Sequence, residues 1–168
     1  MPGIDECLLE VMRLPGARGA SVVDWTSGLA LGTIGDSPNG DHEATAAETA
    51  EVARMTAEQP AFARPSRTGG TGGTGGTGRA GETGGTPGPS PAPGPSPASG
   101  SSPTPNPSPG TPVEDVIVTT HDGYHMLRFV ETAFDSSVFL HLWLDRSEGN
   151  LALARMRLGE LAQRLVLA

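Results

Sequence analysis

The chain has 168 residues, a formal net charge of −8 and a single cysteine, Cys7, and all 11 of its basic residues are arginine. That charge argues against nucleic acid as a partner, one cysteine excludes an intrachain disulfide or a cysteine-built metal cage, and no apolar run approaches the ~18 residues of a membrane span. The opening Met-Pro-Gly-Ile-Asp-Glu carries no basic and then apolar leader, so a cytoplasmic protein is expected, and lysine-free, Ala-, Gly-, Pro- and Arg-rich usage points to a GC-rich genome of actinobacterial type.

Residues 4–13 place Ile4, Cys7, Leu8 and Val11 at helical spacing, with Asp5, Glu6 and Glu10 opposite, which predicts an amphipathic helix. Leu14-Pro15-Gly16 ends it, because proline cannot continue a helix. Residues 19–24 and 29–34 read as two short strands around a turn that contains Gly28. Asp41 is placed to cap a second helix over 42–59, a stretch without internal Gly or Pro. Its Ala46, Ala50, Ala53 and Ala57 align within about 60° of one another, and Glu43, Glu51, Arg54 and Glu58 fall on the adjoining side. A smooth alanine stripe suits close approach to a partner helix or to the chain's own sheet, and the sequence leaves both open. Six carboxylates against one Arg between Asp36 and Glu58 make this the acidic part of the chain, able to steer a basic partner surface.

From 66 to 112 there is no Val, Ile, Leu, Met or aromatic residue, and 14 of the 47 residues are Gly and 11 are Pro. Such a segment buries too little to offset its ordering entropy, so it is expected to be disordered. Its prolines give weak support to recognition by a proline-reading domain and better support to a spacer. Beyond it, 113–120, 124–132 and 138–145 are rich in β-branched and aromatic residues and predict three strands, the first two joined across Asp122-Gly123. A last helix over 150–167 carries Leu151, Ala154, Leu158, Leu161 and Leu165 on one stripe.

Neither flank closes a core alone, since a hairpin is marginal in water and a three-stranded meander leaves a sheet face bare. Joined as one discontinuous domain, 1–65 with 113–168, they give an α+β fold. It is a five-stranded antiparallel sheet in the order αββα, insertion, βββα, with the first and last helices on one face and the alanine helix on the other. Closing a 47-residue connection in place of a five-residue one costs only about 2 kcal/mol.

The segment Leu8-Leu9-Glu10-Val11-Met12-Arg13-Leu14-Pro15-Gly16-Ala17-Arg18-Gly19-Ala20-Ser21-Val22-Val23-Asp24, then Ser27-Gly28-Leu29-Ala30-Leu31, resembles the opening of the Roadblock/dynein light chain domain. Residues 139–145 and Asn150-Leu151-Ala152-Leu153-Ala154-Arg155 are similar to its last strand and helix. The chain departs from that pattern in the 66–112 insertion and in Trp25-Thr26-Ser27 before the turn glycine. The resemblance implies a Roadblock/profilin-like fold and a homodimer formed through the second helix and a neighbouring edge strand. It also implies a non-enzymatic role as partner or regulator of a small Ras-like GTPase. The stripe Ala46, Ala50, Ala53 and Ala57 would then lie at the dimer contact, and Glu43, Glu51 and Glu58 are candidates to face the partner. A small-molecule sensor domain and a passive assembly scaffold are the competing classes.

No cofactor, metal or catalytic constellation is expected. His125 and His141 sit on neighbouring predicted strands, where strand-face positions in solvent or at an interface are expected, and they lack a third ligand at metal spacing. There is no Gly-x-Ser-x-Gly elbow, and the Thr-Gly-Gly repeats lack the Gly-Lys-Ser/Thr of a phosphate loop. Cys7, on the apolar side of its helix, reads as a buried hydrophobe.

Overall fold

The computed structural model describes residues 3–63, 111–131 and 137–166. The expectation of disorder over 66–112 therefore falls outside the described residues, apart from Thr111 and Pro112. The elements run α1 (Ile4–Val11), β1 (Ala17–Asp24), β2 (Leu29–Gly35), α2 (His42–Ala57), a 3-10 turn at Pro60–Phe62, β3 (Asp115–Thr119), β4 (Gly123–Val130), β5 (Val138–Asp145) and α3 (Leu151–Val166). All five strands join one antiparallel sheet in the order β2-β1-β5-β4-β3. The expected elements are present, each end within a few residues of its predicted place, and the 3-10 turn is an addition to them.

Within the sheet the two flanks join along one seam, where β1 pairs with β5 from Ala17 opposite Leu144 to Asp24 opposite Val138. Strand alternation then sends Leu140, Leu142 and Leu144 to one face, and Phe139, His141 and Trp143 to the other. The leucines pack with Leu8 and Val11 of α1 and with Ala154, Leu158 and Leu161 of α3. Phe139 packs with Val23, Leu127 and Phe129 beneath Ala46, Ala50 and Ala53 of α2. Two helices cover one face and one covers the other, as the stripes predict. Cys7 is buried, and burial pushes its thiol up to about 11, which keeps it protonated and inert.

Local chemistry fixes the turns. The Asp24 carboxylate accepts from Thr26 N, Thr26 Oγ1 and Ser27 Oγ, bonds that hold its pKa below the ordinary value, and Gly28 takes φ +75° to close the turn. The departure at Trp25-Thr26-Ser27 thus keeps a tight turn by another route. Thr120 and Gly123 close the β3–β4 hairpin through a Thr120 N to Gly123 O bond of 2.8 Å. Across the helices, Arg164 of α3 donates to Glu10 of α1 at 2.6 Å.

Candidate functional site

The second helix is held firmly at both ends. Asp41 caps it, its Oδ1 accepting from Glu43 N at 2.9 Å and Ala44 N at 3.2 Å. Thr45, buried, donates to Asn39 Oδ1 at 2.7 Å, and its hydroxyl also meets that of Ser37 at 2.7 Å. Near the other end Arg54 Nη2 donates to the Trp25 carbonyl at 2.8 Å, tying α2 to the β1–β2 turn, while Nη1 pairs with Glu51 at 2.7 Å. Such fixation makes the outer side of α2 a rigid platform.

Ala46, Ala50 and Ala53 are 0–1% exposed beneath α2, and Ala57 packs at the margin of the same cluster. Of the two uses open to the stripe, close approach to the chain's own sheet is the one it serves. A partner can meet only the other side of α2, where Glu43, Ala47, Glu48, Glu51, Met55 and Glu58 are exposed. Glu43, Glu51 and Glu58 thus lie together on an open acidic surface, with Glu48 as a fourth member that the sequence does not single out. Met55, 61% exposed, is the apolar residue among them.

Beside α2 the sheet ends in β3, an edge strand with Ile117 and Val118 partly exposed. A cleft of about 260 Å3 separates the helix from β3 and β4 and is lined mainly by Thr45, Thr49, Val52, Val118, His125 and Leu127. Among the described residues the outer edge of β3 is unpaired, and an apolar cleft beside an unpaired strand edge is a feature that protein partners cover.

His125, at one end of this cleft, stacks between two rings. It lies parallel to Trp143 at 6.2 Å and to His141 at 5.5 Å between ring centroids, and Arg18 covers Trp143 with its guanidinium carbon 3.8 Å from the ring centre. His125 Nδ1 and His141 Nε2 are 3.2 Å apart, a hydrogen bond in which one neutral ring donates to the other, the direction set by their tautomers. His141 is 2% exposed. Burial, reinforced by His125, holds its pKa down at about 3, and burial also lowers that of His125. This corrects the expectation that both histidines are strand-face residues in solvent or at an interface: His141 lies in the core between Phe139 and Trp143. Among the described residues no three His, Cys, Asp or Glu side chains are grouped to hold a metal, and no helix is long and apolar enough to cross a membrane.

No family model matches the sequence and no curated protein matches it. Solved structures do. The fold is similar to Myxococcus xanthus MglB at TM-score 0.59 and 15% identity, over 97% of this chain and 84% of that one. It is also similar to the gliding protein MglB from Thermus thermophilus, at TM-score 0.57 and 14% identity over 97% and 85%. A third likeness is to a Roadblock/LC7 domain from Streptomyces avermitilis, at 0.53 and 13% over 96% and 92%. The chain has the Roadblock/LC7 fold.

Proposed function

We propose that this chain is a non-catalytic, homodimeric regulator of a small Ras-like GTPase. Two copies meet across the β3 edge and the cleft beside it, and the GTPase docks on the acidic outer side of α2. The observation that carries the reading is an edge strand left unpaired among the described residues, beside an apolar cleft, on a Roadblock/LC7 fold. Self-association is supported by a further similar structure described as MglB with a tetrameric arrangement. The GTPase follows from the sequence resemblance to the Roadblock family, and the acidic side offers it a surface complementary to a basic patch.

An interface at the β3 edge, in place of the alanine stripe, decides the choice of mutant. Ala50 is 1% exposed, so Ala50→Glu would bury an unpaired charge and disrupt the fold before it reported on a dimer. Val118→Glu places its charge on the exposed edge. Sedimentation velocity of the wild type is expected to give a dimer, and Val118→Glu a folded monomer with an unchanged circular dichroism spectrum. A wild type that stays monomeric at high concentration overturns the dimer. For the GTPase, a pull-down with a small Ras-like GTPase of the same organism is expected to depend on whether GTP or GDP is bound, and to weaken in Glu51→Arg/Glu58→Arg. Capture that ignores both the nucleotide and the charge reversal counts against the regulator.

A further inference from the structure

His125 stands where the core meets the cleft beside β3. On its inner side Nδ1 is bonded to Nε2 of the buried His141, and that is its one hydrogen bond among the described residues. Its other nitrogen, Nε2, is left to bond water, and the half-buried ring meets that water through the cleft it lines.

The surroundings fix what a proton on this ring costs. From β5 it faces His141, which stays neutral down to about pH 3 and so accepts a hydrogen bond without adding charge. Beyond Trp143 lies Arg18 of β1. β3 and the loop before α2 line the cleft without charge, and α2 supplies Glu48, the one carboxylate in the lining. The β3–β4 turn adds Asp122, whose charge acts on the ring, and Arg146, whose guanidinium donates to the Thr120 carbonyl at 2.8 Å. Two cations are thus set against two carboxylates, and desolvation decides. Burial already holds the His125 pKa below its ordinary value, against the pull of Asp122.

Covering the cleft raises that cost. A neutral imidazole keeps its bond to His141 and gives up one bond to water, whereas an imidazolium has two N–H donors, one of which loses its partner when water leaves. Two copies therefore close over the neutral ring more readily than over the charged one. By linkage the association constant falls by up to about tenfold per protomer for each pH unit below the point at which the open ring takes up its proton. The charge of the whole chain works the other way. At a formal net charge of −8 two copies repel one another, and protonation of carboxylates in acid relieves that repulsion. Weakening in acid is therefore diagnostic of the ring.

We propose that His125 makes self-association proton-sensitive: two copies close over the cleft while the ring is neutral, and mild acid releases them as folded monomers. This rests on the reading that the dimer forms across the β3 edge and the cleft.

Sedimentation velocity of the whole chain over a range of concentrations, at pH 7.5 and pH 5.0 with circular dichroism at both, tests it. The dissociation constant of the wild type is expected to rise by about tenfold or more at pH 5.0 with an unchanged spectrum, and to recover at pH 7.5. His125→Asn keeps a polar atom toward His141 but takes up no proton, so it is expected to dimerise equally at both; His125→Gln replaces it if that variant does not fold. A wild type that is monomeric at both pH values overturns the dimer and this proposal together. A dissociation constant that is unchanged or lower at pH 5.0 overturns the proposal and leaves the dimer standing, as does a His125→Asn dimer that weakens in acid like the wild type. Loss of the folded spectrum in step with dissociation also overturns it, because the release would then be unfolding.

Discussion

Among the described glycines, Gly19→Ala is expected to be the most damaging substitution. A Cβ at position 19 would land on the backbone carbonyl of Asp36, and that backbone is fixed because Asp36 N donates to Arg18 O at 2.9 Å. Gly19 also faces Gly35 across β1–β2, at a point where Gly35 takes φ +73° and a side chain would meet Arg18 O at 2.5 Å. Two strands thus cross at a spacing only glycine permits. Overpacking usually costs about 1–3 kcal/mol. Here no flexible side-chain end can yield, so about 3 kcal/mol or more is expected, lowering Tm by roughly 10 °C. Gly40→Ala is the control: its φ is +76° but nothing lies within 4 Å, so only the backbone term of about 1–2 kcal/mol applies. Thermal melts of the two variants decide it, and equal losses would mean that the crossing is not as close as described.

The second large effect is loss of stability in mild acid through His141. In the native chain this ring stays neutral down to about pH 3, held there by burial and by His125, whereas in the unfolded chain it takes up a proton near pH 6.5. Below about 6.5 the unfolded state therefore binds more protons than the native one, and stability falls with falling pH. Its contribution is fully present above about pH 6.5 and is lost progressively toward pH 3. By pH 4.5 the loss from this ring is about 2–3 kcal/mol, and His125, lowered by burial, acts in the same direction. The carboxylates of Asp24, Asp122 and Asp145, each lowered by hydrogen bonds from its turn, contribute only further into acid. Urea unfolding at pH 7.5, 6.0 and 4.5 should show the fall, and His141→Leu, which removes the buried titrating ring, should flatten most of it. A mutant curve as steep as that of the wild type would assign the acid sensitivity elsewhere.

Periodicity makes the elements legible because burial imposes it: leucines at helical spacing on 150–167 are the residues that α3 turns toward Leu140, Leu142 and Leu144. The glycine of Arg18-Gly19 is visible as part of a motif, but its reason, the Asp36 backbone, lies elsewhere in the chain. The alanine stripe is legible as a face and not as a destination, since small side chains suit a sheet and a partner helix equally. Only Val23, Leu127 and Phe139, brought in from three strands, decide between them. For His141 the signal is present in the sequence, because alternation along Phe139-Leu140-His141-Leu142-Trp143 sets it between two aromatics on an apolar face.

The seam between β1 and β5 has one further consequence. β1 is completed in the sheet only by β5, a strand of the other flank, so the contact that joins the two halves of the sheet is chemically an association between two polypeptides that share a covalent tether. The tether sets the effective concentration of one half for the other, and the cost of closing it varies only slowly with its length. Lengthening or shortening the link therefore shifts the association constant by small factors, while a substitution at Val22 or Leu140 acts on it directly.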